Sequence, residues 1–282
     1  MRKIATPRLD RRTLLMTLAG AGLLPAGAFG LDQGTGDAES RDAWMDDPRK
    51  TFLNYLRFMG DTSGRVSPQW WRGGYLAVYP DRNPQLLFSL EGCEMKRVVK
   101  LSDDRYQFQY RIFTMFKDPE SGEILHDKPW QNPLTGARVR VRPNISNADN
   151  VVELTDHGII ERSPKSGEEF PARLWWTAQG PYVMFNSRKA RPGKRPIPMD
   201  DMVTLFGDRK AAMDFSQPRL EARFHTTFVA PFQSFLEMPA NAGIAVWHAS
   251  GHKADSVASL PEAYRRELFR YRPELVEWIG NG

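Results

Sequence analysis

The sequence predicts a mainly β protein, an antiparallel β-barrel with a helix before it and a helix after it. Short apolar segments with period-two alternation run from Trp70 to Ser187, and tight turns separate them. No helical segments alternate with these strands, which argues against a parallel α/β sheet. Helical spacing of apolar residues is found chiefly near the two ends of the chain. Many short strands joined by turns form a barrel or a sandwich, and we expect the barrel.

The first thirty residues have the three regions of a signal peptide. A basic start that includes Arg11-Arg12 precedes an apolar stretch from Thr13 to Leu24, and Ala26-Gly27-Ala28 offers a cleavage site. The paired arginines followed by Thr-Leu-Leu predict export by the twin-arginine translocase. The apolar stretch is shorter than the roughly 20 residues that span a bilayer, so we expect no stable membrane anchor. The sequence therefore predicts a periplasmic or secreted protein.

Most of the apparent basicity belongs to this signal peptide. Five of the 39 Lys and Arg residues lie in residues 1–30, whereas only one of the 34 acidic residues, Asp10, does. The remainder has 34 basic and 33 acidic residues, a net charge of +1. A nearly neutral chain gives no global electrostatic reason to expect a nucleic acid partner.

The chain divides into a signal peptide (1–30), a flexible linker (31–45) and a single domain (46–282). Asp47-Pro48 is typical of a helix N-cap and first helical position. Apolar residues at helical spacing then predict an amphipathic helix from Pro48 to Met59, which Gly60 ends. A second helical pattern begins at Pro261. The sequence has no internal repeat, so one domain is expected.

Strand and turn patterns fill the region between the two helices. Ser102-Asp103-Asp104 is typical of a hairpin turn between two strands, Met95–Leu101 and Arg105–Lys117. In the second strand one face carries Tyr106, Phe108, Tyr110, Ile112 and Phe116. The single cysteine, Cys93, lies between Leu90 and Met95 in a strand-like segment, and a single cysteine excludes an intramolecular disulfide. We expect it to be a small buried residue rather than a nucleophile.

Two segments carry a resemblance to a known family. Residues 118–141, DPESGEILHDKPWQNPLTGARVRV, contain the pattern W-x-N-P-x-T-G, and PFQSFLEMP is followed by GIAVWHASGHK further on. Together these resemble the bacterial and fungal family known as domain of unknown function 1838, whose members often carry twin-arginine signals. The resemblance implies a lipocalin-like β-barrel over most of residues 44–255. It implies no particular activity.

The aromatic residues predict a lumen that holds one small apolar or aromatic molecule. Aromatic residues also favour strands and fill cores, and that explanation covers most of them. Within Trp175-Trp176 the two side chains must face opposite sides of a strand, so only one can face inward. Trp130 and Asn132 lie in a turn-rich segment that is either architectural or a loop at the pocket mouth. The predicted ligand-binding residues are Trp71, Tyr110, Trp130, Asn132, Trp176 and Trp247.

The segment from Phe224 to Lys253 holds the candidate catalytic residues. Three of the five histidines lie in it, together with Glu237. We expect two strands here to deliver His225 and His248 to one place, where Glu237 completes a general acid–base group at neutral pH. The alternative is that each histidine only satisfies its own hydrogen bonds at the barrel rim.

Three functions remain open on these residues. The first is a cofactor-free enzyme that performs isomerisation, hydration or elimination, and the second is a non-catalytic carrier of a small molecule. The third is a metal-dependent enzyme that uses His225, His248 and His252, although no complete metal-ligand motif is present. No phosphate-binding loop, dinucleotide fingerprint or nucleophile elbow occurs, so no organic cofactor is expected.

Overall fold

The computed structural model describes residues 42–171, 173–191 and 199–280, which belong to one compact unit, Ser40–Gly282. The predicted signal peptide and most of the predicted linker lie outside the described residues. The strands are β1 (Ser67–Val78), β2 (Gln85–Ser102), β3 (Arg105–Lys117), β4 (Pro129–Gln131), β5 (Arg138–Arg140), β6 (Asn144–Thr155), β7 (Gly158–Arg162), β8 (Glu169–Pro171), β9 (Arg173–Gln179), β10 (Tyr182–Arg191), β11 (Met199–Asp208), β12 (Arg223–Ala230) and β13 (Ile244–Lys253). The helices are α1 (Pro48–Met59), α2 (Arg209–Met213), α3 (Glu262–Tyr271) and α4 (Leu275–Gly280), and 3₁₀ turns occur at Ala43–Asp46, Ser234–Leu236 and Val257–Ser259.

Eleven of the described strands form one antiparallel sheet that curls into a nearly closed barrel. Their order is β8-β7-β6-β3-β2-β1-β13-β12-β11-β10-β9. β8 and β9 stand at opposite ends of this order, yet β8 ends at Pro171 and β9 begins at Arg173. The two ends of the sheet therefore lie side by side, and they define a seam where the barrel is not hydrogen-bonded shut. The predicted fold class, a mainly β antiparallel barrel with terminal helices, is confirmed.

Helix α1 fills one end of the barrel. The Asp47 carboxylate accepts hydrogen bonds from the backbone N–H groups of Arg49 (2.9 Å) and Lys50 (3.2 Å), so the predicted N-cap is present. The helix buries Phe52, Tyr55, Leu56 and Phe58 against inward-facing residues of the strands. These strand residues include Phe108, Phe185 and Phe224. Helix α1 and these strand residues thus form one continuous apolar cluster at that end of the barrel.

A hairpin and a loop close the other end. The β4–β5 hairpin places Trp130 against Phe88, with ring centroids 4.9 Å apart. The loop between β12 and β13 is held by the Tyr75 hydroxyl, which accepts a hydrogen bond from the Gln233 N–H (3.1 Å). Tyr75 and Phe88 form a second buried cluster with Phe116, Leu236 and Trp247, and the partly buried Trp130 packs against it.

The C-terminal helices cover the outer face of β2 and β3. Tyr264 and Leu268 of α3 and Leu275 at the start of α4 bury the outward side chains Cys93, Met95, Phe113 and Met115. Cys93 is buried, as the sequence predicts, and burial raises the pKa of its thiol well above the ordinary value. A protonated, inaccessible thiol is not a nucleophile.

Two boundaries differ from the sequence prediction. Residues 43–45, assigned to the flexible linker, begin a 3₁₀ turn in which Trp44 is buried against Trp176, with ring centroids 5.0 Å apart. The sequence from Met202 to Met213 is compatible with a helix, but this segment is mostly strand β11, and only Arg209–Met213 is helical. In both places long-range packing decides the local structure.

Lys253 fixes the C-terminal end of α1, and its replacement tests this contact. Its buried Nζ donates to the carbonyl oxygens of Arg57 (2.8 Å) and Gly60 (2.7 Å). Lys253→Met should lower the free energy of unfolding by about 3 kcal/mol, because two buried carbonyls lose their donor. Urea denaturation measures the loss. Lys100→Met, which removes an exposed ion pair with Asp103, is the control and should cost less than about 1 kcal/mol.

Candidate functional site

The barrel encloses a cavity of about 520 Å³ between the two apolar ends. This volume lies within the range of small-molecule sites, roughly 300–1,000 Å³. Its lining residues come from the inward-facing positions of the strands, and Ser146, Asn147 and Glu168 are its exposed members. Among the described residues, the opening of the cavity is therefore on the side of β6 and of the β7–β8 turn.

The two sides of the cavity differ in chemistry. Strands β1, β2, β12 and β13 contribute mostly apolar and aromatic residues, namely Trp71, Leu90, Phe224, Phe228, Trp247 and Ala249. Strands β6, β7, β10 and β11 contribute mostly polar residues, which include Asn144, Asn150, Glu161, Ser187, Lys189 and Asp201. The lumen can thus contact an apolar surface on one side and form hydrogen bonds on the other.

Glu161 on β7 is the centre of the polar side. Its carboxylate pairs with Lys189 on β10 and accepts hydrogen bonds from Asn150 Nδ2 (2.6 Å) and from the Tyr110 hydroxyl (3.2 Å). Burial opposes the charged form of Glu161, but Lys189 and the hydrogen bonds outweigh burial and lower the pKa of Glu161 to about 2. Burial likewise opposes the charged form of Lys189, yet Glu161 raises its pKa above the ordinary value. Both groups are therefore fixed in their charged states at neutral pH.

A second ion pair lies on the inner face of β2. Lys96 Nζ is 2.7 Å from Glu94 Oε1, and the ammonium also lies over the rings of Phe108 and Tyr110. The Lys96 side chain is completely buried, whereas 19% of the Glu94 side chain is exposed, and Glu94 lines the cavity. Burial lowers the pKa of Lys96, and Glu94 partly offsets that effect. The Glu94 carboxylate therefore lines the cavity, and the buried ammonium group of Lys96 balances its charge.

Two cavity residues carry buried polar atoms with no hydrogen-bond partner among the described residues. They are the Thr114 hydroxyl and the Trp247 indole N–H. Leaving such a group unpaired costs roughly 1–3 kcal/mol, so native proteins rarely do it without a water or a ligand to compensate.

Three of the six predicted ligand-binding residues line this cavity. They are Trp71, Tyr110 and Trp247. The indole of Trp71 lies flat on the backbone of β2, where a Cβ atom on Gly92 would be 2.6 Å from Trp71 Cε2. The absence of a side chain at Gly92 therefore lets the Trp71 ring lie close to β2, at the wall of the cavity.

The other three predicted ligand-binding residues have structural contacts instead. Trp176 packs against Phe185, with ring centroids 4.6 Å apart, in the cluster around α1. Asn132 Oδ1 accepts from the Leu134 N–H (2.8 Å), and its Nδ2 donates to the Leu236 carbonyl (2.7 Å). Trp130 belongs to the buried cluster at the closed end described above. None of the three is among the described residues that line the cavity.

The structure brings His225 and His248 together, but on the outer wall of the barrel. Their ring centroids are 4.5 Å apart, and each Nδ1 contacts a hydroxyl of the neighbouring strand: Ser250 at 3.1 Å and Thr227 at 3.2 Å. Burial and the nearby His248 lower the pKa of His225. Inward positions on the same strands belong to Phe224, Phe228 and Trp247, so parity turns the histidines away from the lumen.

Glu237 and His252 are not part of this pair. Glu237 is exposed in the loop between β12 and β13, and no hydrogen bond or ion pair among the described residues joins it to either histidine. His252 is four residues beyond His248 on the same strand, about 13 Å away, and packs against Trp70. The described residues contain no group of three or more His, Cys, Asp or Glu side chains arranged to hold a metal ion. A catalytic or metal-binding role for these residues stays a prediction.

The sequence prediction missed the charged residues of the lumen. Glu94 and Lys96 share the inward face of β2 with Leu90 and Val98, and Glu161 shares that of β7 with Ile159. A charged residue that falls on the apolar face of an alternating strand was the available signal. It is a weak signal, because on β2 the outward face is apolar as well, where α3 and α4 cover it.

The ion pair between Glu161 and Lys189 should be costly to break from either side. Glu161→Gln and Lys189→Met should each lower the free energy of unfolding by about 3–5 kcal/mol, because each leaves a buried charge unpaired. The double variant should lose clearly less than the sum of the two. Urea denaturation of the three variants gives the coupling energy between Glu161 and Lys189. Additive losses would contradict a direct interaction between these two side chains. Arg188→Met, at an exposed ion pair on the adjacent residue, is the control with an expected loss below about 1 kcal/mol.

Glu161 should also make stability depend on acid pH. Its pKa is lowered from 4.5 in the unfolded chain to about 2, so its stabilising contribution is complete above about 4.5 and is lost as pH falls toward about 2. The full loss is about 3 kcal/mol. The difference in unfolding free energy between the native protein and Glu161→Gln should therefore shrink over this range. Chemical denaturation at a series of pH values measures this difference. A difference that stays constant with pH would contradict the lowered pKa of Glu161.

Comparisons with known proteins identify a family and give no activity. No helix in the described part of the chain is long and apolar enough to cross a membrane. No curated protein and no solved structure matches the chain. The family model described as "Protein of unknown function (DUF1838)" matches residues 65–277, more than half of the 282-residue chain. The resemblance stated from the sequence is therefore confirmed, and the chain belongs to the DUF1838 family.

Proposed function

We propose that this protein binds a small molecule with an apolar or aromatic body inside the barrel. The observation that carries the proposal is the cavity of about 520 Å³, which has an aromatic wall and faces a buried polar wall. Polar groups that border a cavity need hydrogen-bond partners, and a bound molecule with a polar group would supply them. The unpaired atoms of Thr114 and Trp247 support the same conclusion.

Acid–base catalysis on the bound molecule is the second candidate. The observation that favours it is the lumen cluster, in which Lys96 has a lowered pKa while Lys189 has a raised one. Neighbouring groups whose pKa values are pushed apart are typical of acid–base sites. Glu94, which faces the lumen, is the carboxylate best placed to accept a proton. The histidine pair lies on the outer wall and does not face a molecule bound in the lumen.

We expect Gly92→Ala to weaken ligand binding at least tenfold. Its new Cβ would be 2.6 Å from the Trp71 ring, which must move into the cavity. Native mass spectrometry of the protein purified from its own host identifies a co-purifying molecule, and quenching of tryptophan fluorescence then measures its affinity for each variant. His225→Ala, on the outer wall, is the control and should bind as the native protein does. If His225→Ala loses binding and Gly92→Ala retains it, the site lies outside the barrel.

Export through the twin-arginine translocase completes the proposal. It is supported by Arg11-Arg12, by the moderately apolar stretch that follows, and by Ala26-Gly27-Ala28. Replacing both arginines by lysine keeps the charge but removes the pair that the translocase recognises. Cell fractionation should then find the uncleaved protein in the cytoplasm, while the native protein is periplasmic and begins after Ala28. Unchanged fractionation of the variant would contradict this route.

A further inference from the structure

The charged groups in the described part of the lumen balance one another in pairs. Lys96 Nζ is 2.7 Å from Glu94 Oε1, and Lys189 pairs with Glu161. Lys189 is the one lysine or arginine among the described residues that line the cavity, so no unpaired cation of this set faces the lumen. An anionic ligand would therefore lose its hydration without gaining an opposite charge.

The carboxylates of the described lining also have partners. The Lys96 ammonium balances Glu94, and Asp201 accepts a hydrogen bond from the Thr226 hydroxyl (3.4 Å). Glu168 is exposed at the opening, where it contacts solvent and accepts a hydrogen bond from the Ser166 hydroxyl (3.2 Å). A cationic ligand would therefore have to compete with these partners or with water. An uncharged ligand avoids both costs.

Two uncharged polar groups of the lining, in contrast, lack a partner. Thr114 is completely buried and 8% of Trp247 is exposed, and both residues line the cavity. Neither the Thr114 hydroxyl nor the Trp247 indole N–H has a hydrogen-bond partner among the described residues. An indole N–H can only donate, whereas a hydroxyl can donate and accept. Trp247 therefore requires an acceptor atom, and Thr114 is satisfied by either kind of group.

The two groups are within reach of one small molecule. The Trp247 ring packs against Phe116, with ring centroids 5.6 Å apart, and Phe116 follows Thr114 by two residues on the same face of β3, which is about 7 Å. Leu90 pairs with Phe116 in register and lines the cavity. The wall between the two polar groups is therefore apolar, and a molecule that reaches both groups must have an apolar middle.

We propose that the ligand is an uncharged carbonyl compound with a second oxygen. Its carbonyl group accepts a hydrogen bond from the Trp247 N–H, and its second oxygen bonds to the Thr114 hydroxyl. The proposal rests on the proposed function, because it names the chemical class of the molecule in the lumen. The carbonyl is assigned to Trp247 because a carbonyl oxygen accepts and cannot donate. The apolar body lies against Leu90, Phe224 and Phe228.

Three probes of one shape and different charge test the first part of the proposal. They are 4-(4-hydroxyphenyl)-2-butanone (neutral), 3-(4-hydroxyphenyl)propanoate (anionic) and 3-(4-hydroxyphenyl)propanamidine (cationic at neutral pH). Isothermal titration calorimetry on the purified protein at physiological salt should give the ketone an affinity at least about tenfold higher than that of either ion, because the described lining has no unpaired charge to balance an ion. This ranking needs no variant and so does not depend on the folding of one.

Two variants and two simpler probes then locate the hydrogen bonds. Trp247→Phe should weaken binding of the ketone about tenfold and change binding of 4-butylphenol, which lacks the carbonyl oxygen, less than about twofold. Thr114→Val should weaken the ketone by a similar factor but not 4-phenyl-2-butanone, which lacks the hydroxyl group. Trp175→Phe, at an exposed position on β9, removes an indole N–H outside the lumen and is the control.

Circular dichroism and thermal unfolding show that each variant is folded. In the ligand-free protein Thr114→Val should keep or raise the unfolding midpoint, because it replaces a buried hydroxyl that has no partner among the described residues. A lower midpoint would show that Thr114 has a partner inside the protein and would overturn its assignment to the ligand.

The outcomes separate this proposal from the proposed function. The ketone binding tightest, with selective losses in Trp247→Phe and Thr114→Val, supports the carbonyl class. An ion binding tightest overturns the carbonyl class and leaves the lumen as the ligand site. Ketone binding that either variant leaves unchanged, or that falls together with binding of the simpler probe, overturns the hydrogen bond assigned to that residue and with it the proposal. If none of the probes binds, or if Trp175→Phe alone weakens binding, the lumen is not the ligand site and the proposed function itself fails.

Discussion

The ion pair between Glu161 and Lys189 joins the two ends of the barrel sheet. Glu161 is on β7, one strand from the end of the sheet order, and Lys189 is on β10, one strand from the other end. Backbone hydrogen bonds join all the other neighbouring strands of the described sheet. Across the seam, side-chain contacts join the two sides instead. Because the pair is buried, its geometry and its additional hydrogen bonds decide whether it repays the cost of desolvation. Asn150 and Tyr110 supply those bonds.

The position of this pair also determines the chemistry of the lumen. The barrel interior is filled by aromatic clusters at both ends, one around α1 and one around Phe88 and Trp130. The cavity lies in the layer between these two clusters, and the polar residues of the seam are found in the same layer. The same side chains thus bridge the seam and line the proposed binding cavity. For that reason the ligand expected here has a polar group as well as an apolar body.

The outer wall shows why short-range patterns mislead in this fold. His225 and His248 are neighbours as expected from two adjacent strands, yet they face outward, and the residues beside them face the lumen. A strand fixes only that successive side chains alternate. Whether odd or even positions face inward depends on which other strands complete the barrel. Helices α3 and α4 also bury the outer face of β2 and β3. Apolar residues therefore occupy both inward and outward positions on these two strands.

The sequence by itself determined what local chemistry controls. The N-cap at Asp47, helix α1, the turn at Ser102–Asp104, the shared face of Tyr106, Phe108 and Tyr110, and the family were all evident from neighbouring residues. Local steric and hydrogen-bonding preferences suffice for the structural features, and two sequence motifs suffice for the family. Only the tertiary structure decided that Glu161 meets Lys189, that Trp176 supports α1 while Trp71 borders the cavity, and that the histidines face outward. Those outcomes depend on contacts between residues far apart in the chain, which the closure of the barrel alone brings together.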